Sequence, residues 1–150
     1  RSIHSDDATT IHQKKVSDLQ NRLKIMQSYP NSLFISIHQN HYSESKYSGA
    51  QIFYSSKHLE SEQLAQTLQN AFRDLLQPEN SREVKPAGKD LYLMWNAEVP
   101  AVLAECGFLS NETESTLLSQ DDYQQKVAFV LYCGILNYLQ DMGTTPVTSQ

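Results

Sequence analysis

Apolar positions along the chain fall into two spacings. Between Ala8 and Tyr29, the positions Ile11, Lys15, Val16, Leu19, Leu23 and Met26 include the three- and four-residue steps of one helix face. Asp6 and Asp7 stand ready as N-caps, and Pro30-Asn31-Ser32 ends the pattern. Leu33 to His38 is a short apolar run after a turn and reads as a buried strand. A polar loop, His41 to Ser48, leads to a second strand at Ala50 to Tyr54, with Gly49 at its start. Glu60 to Leu76 is an amphipathic helix with Leu64, Leu68, Ala71, Phe72 and Leu75 on its apolar face, stopped by Pro78-Glu79-Asn80. Glu83 to Asp90 reads as a loop, Leu91 to Met94 as a short strand, and Pro100 to Glu105 as a buried strand ending in a charge. Asp121-Asp122 open a last helix that runs through Leu139 and turns Tyr123, Val127, Val130, Leu131, Gly134 and Tyr138 to one side.

Strands and helices thus alternate. This predicts an α/β fold, a mainly parallel twisted sheet with helices on both faces. Residues 1–141 form one domain in this reading, and 142–150 a flexible C-terminal tail.

Composition narrows the function. A chain of 150 residues with 39% hydrophobic and 19% charged positions folds around one core and leaves little room for a second. With 12 Lys+Arg against 17 Asp+Glu the formal charge is −5, and Lys14-Lys15 is the only adjacent basic pair. That removes the basic footprint a nucleic-acid binder needs. The longest apolar stretch, Val127 to Ile135, is interrupted by Gly134 and too short to span a bilayer. Cys106 and Cys133 are too few for a disulfide framework and read as buried free thiols.

Two strands end in chemistry. The first finishes in Ile37-His38-Gln39-Asn40, the second in Ala104-Glu105-Cys106-Gly107. In open α/β sheets, sites gather at the carboxyl ends of strands. A histidine there is a metal ligand or a hydrogen-bonded structural residue. A carboxylate following four apolar strand residues is a ligand or general base, or one half of a salt bridge, because burying it unpaired is costly.

At this point the sequence resembles a known family. Ser36-Ile37-His38-Gln39-Asn40 is similar to the Ser-x-His-x-Asn motif of the zinc-dependent N-acetylmuramoyl-L-alanine amidases. Val102-Leu103-Ala104-Glu105-Cys106-Gly107-Phe108-Leu109-Ser110-Asn111 is similar to their Val-Leu-x-Glu-x-Gly-Phe-x-Ser-Asn motif. Gly49 to Ser55 and Leu91 to Met94 match the segments between. Arg1 falls at the Arg of a Thr-Arg pair, and Leu19 to Arg22 at a Leu-x-x-Arg helix. The wording looks most like the spore-cortex amidases of endospore formers. The resemblance implies an amidase/phosphorylase-like fold, Zn²⁺ as cofactor and peptidoglycan as substrate. It also implies an extracytoplasmic setting in cell wall or spore cortex, with an activating protein as a further partner.

The resemblance further implies His38 as a zinc ligand, Glu105 as the catalytic carboxylate and Asn40 as a substrate-binding position beside the ligand. Zinc lowers the pKa of its water to about 7. Glu105 would take that proton as the lactyl amide carbonyl is attacked, then return it to the leaving alanine nitrogen. The family's other two zinc ligands, a His and a Glu, lie upstream of the segment matching Arg1. His4, His12, His41 and His58 do not match them. The sheet is therefore expected to lack its first strand–helix–strand portion. Two further readings stand beside the hydrolase: an inactive peptidoglycan-binding or interaction module on the amidase fold, and a cysteine hydrolase using Cys106. If the strand continues past Glu105, alternation turns Cys106 into the core and away from any site.

Overall fold

The computed structural model describes residues 2–143; Arg1 and residues 144–150, most of the segment read as a flexible tail, lie outside the described residues. Nine elements follow in chain order: α1 (Ile11–Gln27), β1 (Phe34–Asn40), β2 (Gln51–Tyr54), α2 (Glu60–Leu75), β3 (Lys85–Pro86), α3 (Tyr92–Trp95), β4 (Ala101–Phe108), α4 (Glu112–Leu118) and α5 (Asp121–Gly143). The strands form one sheet in the order β1-β4-β2-β3. β1 runs parallel to β4, and β2 parallel to β3. Between β2 and β4 the pairing is antiparallel. The α/β class and the mainly parallel sheet are as expected, with one antiparallel seam.

Helices cover both faces because β4 is apolar on both. Val102, Ala104 and Cys106 point into a core shared with Leu64, Leu68 and Phe72 of α2 and with Val127, Val130, Leu131 and Tyr138 of α5. Ala101 and Leu103 point the other way, toward Met26 of α1 and Met94 of α3. Such alternation is what a central strand buried on both sides requires. Where β2 begins, polar side chains complete the main-chain pairing. Gln69, fully buried, accepts from the Ile52 N–H at 3.0 Å and donates to the Ala50 carbonyl at 3.0 Å.

Several expectations are corrected. α1 begins at Ile11, not Ala8, and its cap is Thr10 rather than Asp6 or Asp7. Thr10 and Gln13 close a capping box, the stronger device because it satisfies two orphan N–H groups at once. The segment before it is pinned onto α1: the Ile3 N–H donates to Asp18, and Asn21 donates to the Ile3 carbonyl at 2.8 Å. The Arg22 guanidinium, aided by the Ile3 N–H, lowers the Asp18 carboxyl to about 2.

Leu91 to Met94 does not form a strand. Trp95 N–H bonds to the Leu91 carbonyl at 2.8 Å and Asn96 N–H to that of Tyr92 at 3.1 Å, making one helical turn. β4 runs on through Phe108 instead of ending at Glu105. β1 is half-buried rather than buried, with Ile37 63% exposed, because β4 is its one strand neighbour among the described residues. Leu75 is exposed at the end of α2. α5 continues to Gly143, two residues into the segment read as tail.

Candidate active site

β1 and β4 lie parallel with His38 directly opposite Glu105. On the other side of β4, Gln51 of β2 stands opposite Glu105. Side chains two apart on a strand share a face, so Ser36 with His38, and Leu103 with Glu105, open on the side covered by α1 and α3. There they line a cavity of about 210 Å³, walled by Leu19 of α1 and by the segment Asp90 to Met94. The helical turn of α3 thus supplies the apolar wall beside Glu105. The sequence reading missed these wall residues; the signal that could have found Ser36 and Leu103 is their two-residue spacing from His38 and Glu105.

Glu105 is the unusual residue. Its Oε2 is buried and has no hydrogen-bond partner. No ion pair among the described residues reaches it, so the salt-bridge reading falls away. Burial pushes its carboxyl above the usual range, and His38 draws it partly back. A carboxylate kept in an apolar cleft without a cation to neutralise it is poised to hold and release a proton. His38 itself is exposed.

Asn40 sits beyond an irregularity in the β1–β4 register, opposite Phe108. Its carbonyl accepts from Leu109 N–H at 2.7 Å, which fixes the strand end. It does not line the cavity that His38 and Glu105 share. His41 is exposed on the loop beyond. Among the described residues no group of three or more His, Cys, Asp and Glu side chains could hold a metal ion.

Cys106 faces the opposite core, 3% exposed. Burial, helped by the charge of Glu105, pushes its thiol up to about 12. At pH 8 the thiolate fraction is then on the order of 10⁻⁴, far too small for a nucleophile. Thiol titration of the native protein at pH 8 should leave Cys106 unmodified, with the half-buried Cys133 reacting first. Cys106 should become available only on unfolding, and Cys106→Ala should keep most activity. Rapid native labelling of Cys106 with loss of function would restore the cysteine reading.

Comparison with known proteins places this geometry. The family described as N-acetylmuramoyl-L-alanine amidase (Amidase_3) matches residues 3–137. The chain is 41% identical over 133 residues to the germination-specific N-acetylmuramoyl-L-alanine amidase of Bacillus subtilis (strain 168), covering 89% of this chain and 55% of that protein. Among solved structures it is similar to the CwlD amidase from Clostridioides difficile in complex with the GerS lipoprotein. The TM-score is 0.87 at 40% identity, over 93% of this chain and 71% of that one. It is also similar to an N-acetylmuramoyl-L-alanine amidase from Clostridium difficile 630, with TM-score 0.72 at 25% identity over 81% of this chain and 65% of that one. The chain spans about half the length of the curated relatives first matched. The two motifs at the ends of β1 and β4, their shared cavity, and a match from residue 3 to 137 agree: the chain belongs to the N-acetylmuramoyl-L-alanine amidase family.

Proposed function

We propose that the protein carrying this chain hydrolyses the amide between N-acetylmuramic acid and L-alanine in peptidoglycan, with Glu105 as its acid–base group. The observation that carries this is the buried, partnerless Oε2 of Glu105, opposite His38 at the wall of an apolar cavity. The name of the Bacillus subtilis relative supports a setting in spore cortex or cell wall, outside the cytoplasm. No helix of the described residues is long and apolar enough to cross a membrane. A relative's complex with a lipoprotein supports a protein partner for this chain as well.

We also infer a dependence on zinc. His38 offers an exposed imidazole beside a carboxylate without a partner, which suits one corner of a metal site. No third donor stands with them, so the described residues do not complete one. A catalytic zinc usually has three protein ligands. When bound, zinc polarises a carbonyl and acidifies water. The chain's own part is separate from that. Glu105, its proton affinity raised by burial, takes a proton from the attacking water and delivers it to the departing alanine nitrogen. Leu19, Leu91 and Leu93 supply an apolar wall beside it. Asn40, at the β1 end, is proposed to meet the substrate outside the cavity.

The incomplete donor set favours a second reading, a peptidoglycan-binding module without activity. Chelation separates the two. The full-length protein should lose muramoyl-alanine cleavage on dialysis against a chelator and regain it with stoichiometric zinc. Peptidoglycan binding with no cleavage under either condition would establish the binding module.

A further inference from the structure

We propose that Glu114 is a positioning residue for this site: its carboxylate ties the end of β4 to the start of β2. With Ser110 and Asn111, it holds the His41–Ser48 loop that follows His38. The proposal rests on the reading of Glu105 and His38 as the working pair.

Asn111 is the N-cap of α4 and Glu114 lies at the third helical position. That spacing ordinarily closes a capping box, the acidic side chain returning to the cap's own N–H. Here only half the box is made: Asn111 accepts from Glu114 N–H at 3.1 Å. The Glu114 carboxylate goes elsewhere. One oxygen accepts from Gly49 N–H at 2.8 Å, the other from Phe108 N–H at 2.8 Å. Two backbone donors on one half-buried carboxylate form a charge-assisted pair, stronger than neutral hydrogen bonds.

The local backbone is shaped to receive it. Gly49 has a φ of +86°, where a side chain is strained. At Gly107 a Cβ would lie 3.2 Å from a Glu114 oxygen and 3.2 Å from Leu118, so glycine leaves room for the carboxylate to seat.

The same short run holds the loop at two more points. Tyr42 N–H donates to Ser110 Oγ at 3.2 Å, and Asn111 donates to the Ser45 carbonyl at 3.0 Å. None of Ser110, Asn111 and Glu114 lines the cavity of Glu105. Glu114 instead fixes the end of β4 and the approach to β2, while Ser110 and Asn111 hold the loop that leaves β1. Phe108 is three residues beyond Glu105 on β4. Gly49 is two residues before Gln51, the residue opposite Glu105. Tyr42 is four residues beyond His38. Small displacements of a reacting group cost large factors in rate, so this clasp acts on turnover through geometry.

Glu114→Gln tests it in the full-length protein. Glutamine keeps the length but offers one acceptor oxygen, leaving its NH₂ against a donor. The expected kcat on a soluble muramoyl-peptide falls by about 10- to 100-fold while KM moves less than about three-fold. Amide exchange should quicken at residues 41–49 and 106–109 and stay at parent rates in α2 and α5. An unchanged kcat would overturn the proposal. So would exchange that rises equally in α2 and α5, since that marks a general loss of structure. Should Glu114→Gln fail to fold, Asn111→Ala decides: faster exchange at 41–49 with lowered kcat supports the clasp, and a freed loop with full kcat overturns it. If the parent protein shows no amidase activity, the functional reading fails by itself. The exchange pattern alone then supports or overturns the clasp.

Discussion

Glu105→Gln in the full-length protein lowers muramoyl-alanine cleavage by about 10²- to 10⁴-fold, the range for losing a general acid–base group, and leaves its zinc content near that of the parent. Glutamine matches the shape of the side chain and keeps an oxygen in the cavity, so lost packing cannot account for the loss. A second readout separates function from scaffolding. Burial holds the folded-state pKa of Glu105 above its ordinary value of 4.5. The stability associated with the neutral carboxyl is therefore fully present below that ordinary value and is lost as pH rises through the raised one. Gln cannot ionise. The metal-free Glu105→Gln protein should therefore outlast its parent in denaturant near neutral pH, and the two should converge as pH falls below the ordinary carboxylate range. A carboxylate that works against the fold in this way fits the proposed acid–base role. Turnover unchanged in Glu105→Gln would remove it from the mechanism.

Chain 1–150 purified alone should hold well under one zinc per molecule after dialysis and should not cleave peptidoglycan. His38 is the residue carried over as a ligand, and no group of three donors exists among residues 2–143. The positions outside that range, Arg1 and Thr144 to Gln150, contain no His, Cys, Asp or Glu. Affinity at such sites comes from several deprotonated ligands fixed together, and one imidazole does not hold the ion against water. Ile37, 63% exposed on β1, and the edge of that strand left unpaired among the described residues also leave apolar surface that favours association. Metal analysis and a peptidoglycan release assay on the purified chain check both parts. One tightly held zinc per chain, with cleavage, would mean that other side chains here complete the site.

The pairing of His38 with Glu105 was legible in the sequence because β4 is largely legible. Pro100 to Ala104 is an apolar run that reads as a strand buried on both faces, and once β4 continues through Phe108 the period of two separates Glu105 from Cys106. His38 followed from its place at the end of β1 and from the motif around it. Leu91 to Met94 was not legible: four residues without a flanking pattern carry no period, and the turn is decided by the Leu91–Trp95 and Tyr92–Asn96 hydrogen bonds. The start of α1 was misread because two acidic residues and a threonine all suit an N-cap, and only Thr10 also finds Gln13 three residues on. Glu114 escaped notice because its partners, Gly49 and Phe108, are backbone N–H groups, and one lies 65 residues away in sequence.

The bond that is cut is the decisive quantity. Purified cortex or vegetative peptidoglycan, digested by the full-length zinc-loaded protein, can be resolved by mass spectrometry into glycan strands and free stem peptides. The expected products are peptides with a free L-alanine amino terminus and glycans that keep an intact lactyl acid, with no new reducing ends, and none of these from Glu105→Gln. New reducing sugars, or cleavage within the stem peptide while the muramoyl–alanine bond survives, would contradict the amidase assignment.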